Sequence, residues 1–169
     1  MKTKSFNFLL LLIMAFGIGS CTKSNTIMVN TNANTTKVTF DASLKGASET
    51  PPNNSTATGN AIFTYDKTTS ILTGTVTFQG ITPIGVHIHK GAVGVAGEVV
   101  FQLDSGTITS PISFTSAALD STQRADLMAD LYYVNIHSSA FLGGEIRGQL
   151  THSNSSVTAG TNMNGGNGY

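Results

Sequence analysis

Tryptophan is absent from this chain of 169 residues, and cysteine occurs once, at position 21. One cysteine closes no disulfide within the chain and builds no zinc–thiolate cage. Charge is scarce too. Asp, Glu, Lys and Arg make up 11% of the sequence, with nine basic against nine acidic side chains. There is no basic field to attract nucleic acid and no acidic tail. Also missing are a Gly-x-Ser-x-Gly nucleophile elbow, a phosphate loop and a dinucleotide fingerprint. Asp104, Asp120, Asp126 and Asp130 lack the spacing of a calcium loop. What remains is a chain that is 40% hydrophobic, contains 18 glycines and draws its polar positions from Ser, Thr, Asn and Gly. That balance predicts β structure with polar loops, and its length suits one domain with extensions.

The amino terminus reads as an address. Lys2 and Lys4 precede a stretch from Phe6 to Ile18 that is apolar apart from Asn7. This is the pattern of a secretory signal peptide over residues 1–20. It ends in Ile18-Gly19-Ser20-Cys21, which resembles the bacterial lipobox. The resemblance implies cleavage before Cys21, lipidation of its sulfur and acylation of the new amino terminus. Several acyl chains would hold the protein on a lipid bilayer, each buried CH₂ adding about 0.8 kcal/mol. The expected location is the bacterial cell envelope, at the outer membrane or cell surface. With Cys21 lipidated, no free thiol is left for a nucleophile or metal ligand.

Residues 21–36 are mostly Thr, Asn, Ser and Lys and read as a polar tether. Residues 152–169, rich in Asn, Gly and Ser, read as a disordered tail. The folded unit is therefore expected over 37–151. Within it, Val38, Phe40, Ala42 and Leu44 alternate with polar residues, the period of a half-buried strand. Further strands are expected at 61–65, 71–78, 86–89, 98–103, 111–115, 132–137 and 145–150. One short helix is expected near 121–131, capped by Asp120 or Ser121, with Ala125, Met128 and Leu131 as its buried stripe. Strands at this spacing predict a mainly β fold, an antiparallel β-sandwich or Greek-key barrel. Phe40, Val76, Phe78, Ile88, Phe101, Val134, Ile136 and Ile146 are expected in its core.

Alternation also gathers polar groups. His87 and His89 project to one face of their strand, opposite Val86 and Ile88. His137 shares a face with Tyr133 and Asn135, and Glu145 shares one with Arg147 and Gln149. Three of the four histidines thus meet on one surface if the strands are neighbours. His-x-His on a strand suits a metal site, because residues i and i+2 point the same way and neutral imidazole binds copper or zinc. The expected ligands are His87, His89 and His137. Glu145 is either a fourth ligand or orienting group, or more simply an ion-pair partner of Arg147 or a solvated charge. The plain alternative is a solvated sheet face without metal. His152 reads as a bystander, and the Gly91–Gly97 segment as a mobile connection.

The stretch Ala42-Ser43-Leu44-Lys45-Gly46-Ala47-Ser48-Glu49-Thr50-Pro51-Pro52 is followed by Thr58-Gly59-Asn60-Ala61 and His87-Ile88-His89. Tyr133-Val134-Asn135-Ile136-His137 and Gly143-Gly144-Glu145-Ile146-Arg147-Gly148-Gln149-Leu150 complete the series. In this order the blocks resemble the CHRD domain, named from chordin, over about Thr39 to Leu150. The sequence departs from that pattern at Lys90, where the family often has Gly. The resemblance implies a β-rich domain with one short helix, and no particular reaction. The favoured expectation is a surface-anchored binding or structural module with a protein or glycan ligand, holding a metal ion if the histidines converge. His-x-His in a Gly-rich β chain is also similar, over a few residues, to copper–zinc superoxide dismutase. A metalloenzyme of that kind and a metal-free envelope scaffold are the alternatives.

Overall fold

A computed structural model describes residues 36–104 and 106–152. The expected signal peptide, Cys21, and nearly all of the expected tether and tail lie outside the described residues. Two residues assigned to those extensions belong to the fold. Thr36 accepts a backbone hydrogen bond from Lys67, and His152 pairs with Phe40.

Among the described residues, nine strands form one antiparallel sheet. They are β1 (Lys37–Lys45), β2 (Thr58–Asp66), β3 (Ile71–Gln79), β4 (Pro83–Lys90), β5 (Val99–Gln102), β6 (Ile112–Thr115), β7 (Tyr132–Ser138), β8 (Ile146–Gln149) and β9 (Thr151–His152). The order across the sheet is β5-β4-β7-β8-β1-β2-β3-β6, with β9 also on β1. Along β1, Phe40, Ala42 and Leu44 are buried while their neighbours face out. β2 repeats the alternation with Gly59, Ala61, Phe63 and Tyr65 inward. A tight turn joins β2 to β3, with Asp66 Oδ1 accepting from the Thr68 N–H. β8 and β9 share one register on β1, pairing Arg147 with Lys45, Thr151 with Asp41 and His152 with Phe40. They therefore act as one strand, interrupted at Leu150.

The expected sandwich or barrel is realised by this single sheet curling on itself. Its end strands, β5 and β6, meet through side chains: the Phe101 and Phe114 ring centroids are 5.5 Å apart. Inside the curl lie Phe40, Phe63, Leu72, Val76, Val86, Ile88, Val134, Ile136 and Ile146, all fully buried. Phe78 and Phe101 are only partly buried. Phe101 lies on an edge strand, and Phe78 extends beyond the Thr73–Val76 stretch that β6 covers.

The helix, α1 (Ser121–Met128), starts where expected. Asp120 Oδ1 accepts from the Gln123 N–H at 2.8 Å, and Gln123 Oε1 accepts from the Asp120 N–H at 3.1 Å. This capping box satisfies free N–H groups at the first turn. The expected buried stripe is wrong: Ala125 and Met128 are exposed, Leu131 is half-buried, and Leu127 is the buried residue. A helix of eight residues meets the core through one side chain, and its Asp126 is drawn to Lys90 Nζ at 2.8 Å.

Candidate metal centre

β4, β7 and β8 are adjacent, and their registers set rows across the outer face. His87 stands opposite Asn135, which stands opposite Arg147; His89 stands opposite Tyr133, which stands opposite Gln149. The structure brings His87, His89 and His137 together, each offering one nitrogen within 4.8 Å of the others. His87 Nδ1 lies 3.2 Å from His137 Nε2. His89 Nε2 is buried and has no hydrogen-bond partner among the described residues.

Two loops hold the imidazoles. His89 Nδ1 lies 2.9 Å from the Gly97 carbonyl oxygen, and His137 Nδ1 lies 3.0 Å from that of Leu142. The Gly91–Gly97 segment, expected to be mobile, is pinned. Gly91 N–H donates to the Leu131 carbonyl, Gly97 N–H donates to the Tyr133 hydroxyl, and Arg147 Nη2 donates to the Ala92 carbonyl. Burial is the main cause that holds His87 and His89 below the ordinary imidazole value of 6.5. His137 adds to the depression in both cases. Both rings are thereby biased to the neutral form, the form that ligates a metal.

Much of the face around the histidines is buried, with His89 buried and His87 and His137 half-buried. Tyr133, Asn135, Glu145, Arg147 and Glu49 are all buried on it. Arg147 and Glu145 are not paired as the sequence suggested. Arg147 lies over the Tyr133 ring and donates to Ala92 and Thr50, whereas Glu145 Oε1 accepts from Ser55 Oγ at 2.6 Å. Nor does Glu145 belong to the three-histidine group. The loop after β1 covers this region, with Asn53 Nδ2 donating to the Glu145 carbonyl. Burial pushes the Glu49 carboxyl up from 4.5 to about 7, despite the Thr50 N–H and the nearby Arg147 charge. Its Oε1 and Asn135 Oδ1 are both buried without partners among the described residues. They converge on the Gly144 α-carbon, where a Cβ would meet Asn135 at 2.5 Å and Glu49 Oε1 at 2.7 Å.

Sequence reasoning passed over Glu49, Asp104 and His152. Asp104 Oδ1 accepts from the Val86 N–H at 2.9 Å and lies 4.0 Å from His87 Nε2. Its signal was its place just beyond the strand that pairs with β4. His152 is no bystander: Nδ1 lies 2.7 Å from Asp130 Oδ1, and the ring packs on Phe40 with centroids 5.1 Å apart.

A curled antiparallel sheet with a buried polar outer layer and a histidine triangle defines a small β module. The CHRD domain family matches residues 40–150, and the chain belongs to that family. No curated protein and no solved structure matches the chain.

Proposed function

We propose that this CHRD protein is a lipid-anchored binding module of the bacterial cell envelope that holds a copper or zinc ion with His87, His89 and His137. The observation that carries the metal reading is the donor triangle, with all three nitrogens within 4.8 Å of one another. Tetrahedral zinc with bonds of about 2.0–2.1 Å places neighbouring nitrogens roughly 3.3 Å apart. The 3.2 Å between His87 Nδ1 and His137 Nε2 meets that spacing. Three neutral imidazoles favour copper or zinc over magnesium or calcium, which prefer oxygen. They leave a fourth position for water or a ligand. Glu145 is engaged by Ser55 and is not one of the ligands. The anchor rests on Ile18-Gly19-Ser20-Cys21 and places the domain beside a bilayer. A protein or glycan is the ligand class for such a module, and nucleic acid is not.

Titration of tag-free, metal-stripped protein with zinc and with copper tests the metal site. One equivalent should bind tightly to the wild type and weakly to the His87→Ala/His89→Ala double variant. Equal affinities would leave a metal-free scaffold as the better reading.

A further inference from the structure

The three histidines do not stand alike. His89 and His137 each turn Nδ1 to a carbonyl oxygen, of Gly97 and Leu142 respectively. A carbonyl only accepts, so both Nδ1 atoms carry the proton and both Nε2 atoms present a lone pair. His87 is oriented the other way, with Nδ1 3.2 Å from His137 Nε2. Because that Nε2 is an acceptor, the proton between the rings sits on His87 Nδ1. His87 Nε2 is then a lone pair as well, and it faces Asp104 Oδ1 across 4.0 Å. Two acceptors gain nothing by closer approach, which accounts for a gap too wide for a hydrogen bond.

Metal binding requires the reverse arrangement at this one ring. Nδ1 is the His87 nitrogen that points into the triangle, so it must give up its proton to bind an ion. We infer that loading the site with metal moves the His87 proton from Nδ1 to Nε2, and that Asp104 is the positioning residue that accepts the new Nε2–H hydrogen bond. The Nδ1–H bond breaks, its electron pair goes to the metal, and an Nε2–H bond forms by exchange through water. A neutral His87 therefore releases no net proton. Asp104 is already aimed: Oδ1 is held by the Val86 N–H at 2.9 Å, and Oδ2 lies 3.4 Å from Gln102 Nε2. It also differs in kind from its counterparts. His89 and His137 lean on neutral carbonyls, whereas Asp104 brings a full negative charge beside the ion's positive one. Outer groups of this sort orient a ligand and raise its basicity.

The inference rests on the metal reading above, and zinc is the probe for both. Long-range proton–nitrogen correlation spectra of labelled protein report which ring nitrogen carries the proton. In metal-free protein His87 should be protonated at Nδ1; with zinc it should be protonated at Nε2. His89 and His137 should keep Nδ1–H in both states. Asp104→Asn keeps an oxygen for the Val86 N–H and removes the charge. It should bind zinc 10–100-fold more weakly, with the unfolding midpoint of the metal-free form unchanged. A His87 ring already protonated at Nε2 without metal, or equal zinc affinity in Asp104→Asn, would overturn the inference and leave the metal site standing. No zinc bound by the wild type would remove the metal reading and the inference together.

Discussion

Arg147 places its guanidinium carbon 3.4 Å from the centre of the Tyr133 ring, and His89 stacks on the same ring at 5.1 Å with planes 9° apart. β8 and β4 flank β7 on opposite sides, so cation and imidazole cover the two faces of one phenol. The stack fixes the plane of His89, and the Gly97 carbonyl fixes its rotation. Arg147→Ala should lower stability by about 3 kcal/mol in urea unfolding, since the Ala92 carbonyl loses its charged donor and Tyr133 its cation. Arg147→Lys should recover little of this, because an ammonium cannot lie flat on the ring while reaching both Ala92 and Thr50.

Glu49 predicts a pH dependence of the metal-free protein. Its folded value of about 7 lies above the ordinary 4.5, so the folded chain binds more protons than the unfolded chain between these limits. Stability from this group is greatest below pH 4.5 and is lost as pH rises through 7. Glu49→Gln, which removes the titrating group and keeps the side chain's size, should flatten that decline. Equal slopes for wild type and variant, in denaturant midpoints taken from pH 4.5 to 8, would show that Glu49 is not protonated in the fold. His87 and His89, depressed below 6.5, act in the opposite sense and penalise folding as pH falls below that value.

Gly97 is a point of close approach. A Cβ there would overlap the Lys90 carbonyl oxygen, in a loop whose own carbonyl orients His89. Gly97→Ala should displace the loop, lower the melting temperature and weaken zinc binding together. Gly143, with nothing within 4 Å of its added Cβ, is the control: Gly143→Ala should leave both close to wild type.

The anchor is tested in cells. Cys21→Ser should move the protein from the membrane fraction to the soluble fraction, and mass spectrometry should find the wild-type chain beginning at an acylated Cys21. A variant that stays with the membrane would point to another attachment.

Strand positions and the meeting of the histidines were legible because period-two patterning acts locally. Phe40, Ala42 and Leu44 declare their face without help from the rest of the chain. The same logic placed His87 and His89 together, and the core requirement for Val134 and Ile136 set His137 on their side. The partners of the polar face were not legible. Glu145 chose Ser55, 90 residues away, over Arg147 two positions along the chain. Arg147 was drawn to Tyr133 because the ring face, the Ala92 carbonyl and the Thr50 hydroxyl were available in one buried place. Such choices depend on which loops fold over the sheet, and no periodicity encodes that. The helix misled for a related reason: two turns are too few for a stripe, so Leu127 alone decided which side turned inward.

The shared register of β8 and β9 on β1 has a consequence for how the domain is made. Lys45 finds Arg147, and Asp41 finds Thr151, only at the end of the domain's synthesis. Until then one edge of β1 is an unsatisfied template, and β7 lacks the neighbour that carries the Arg147 cation. A nascent chain stopped short of Ile146 has the sequence of a nearly complete domain and a sheet that cannot close. Long-range closure of this kind slows folding, because loop-closure entropy is lost before the final pairing is gained.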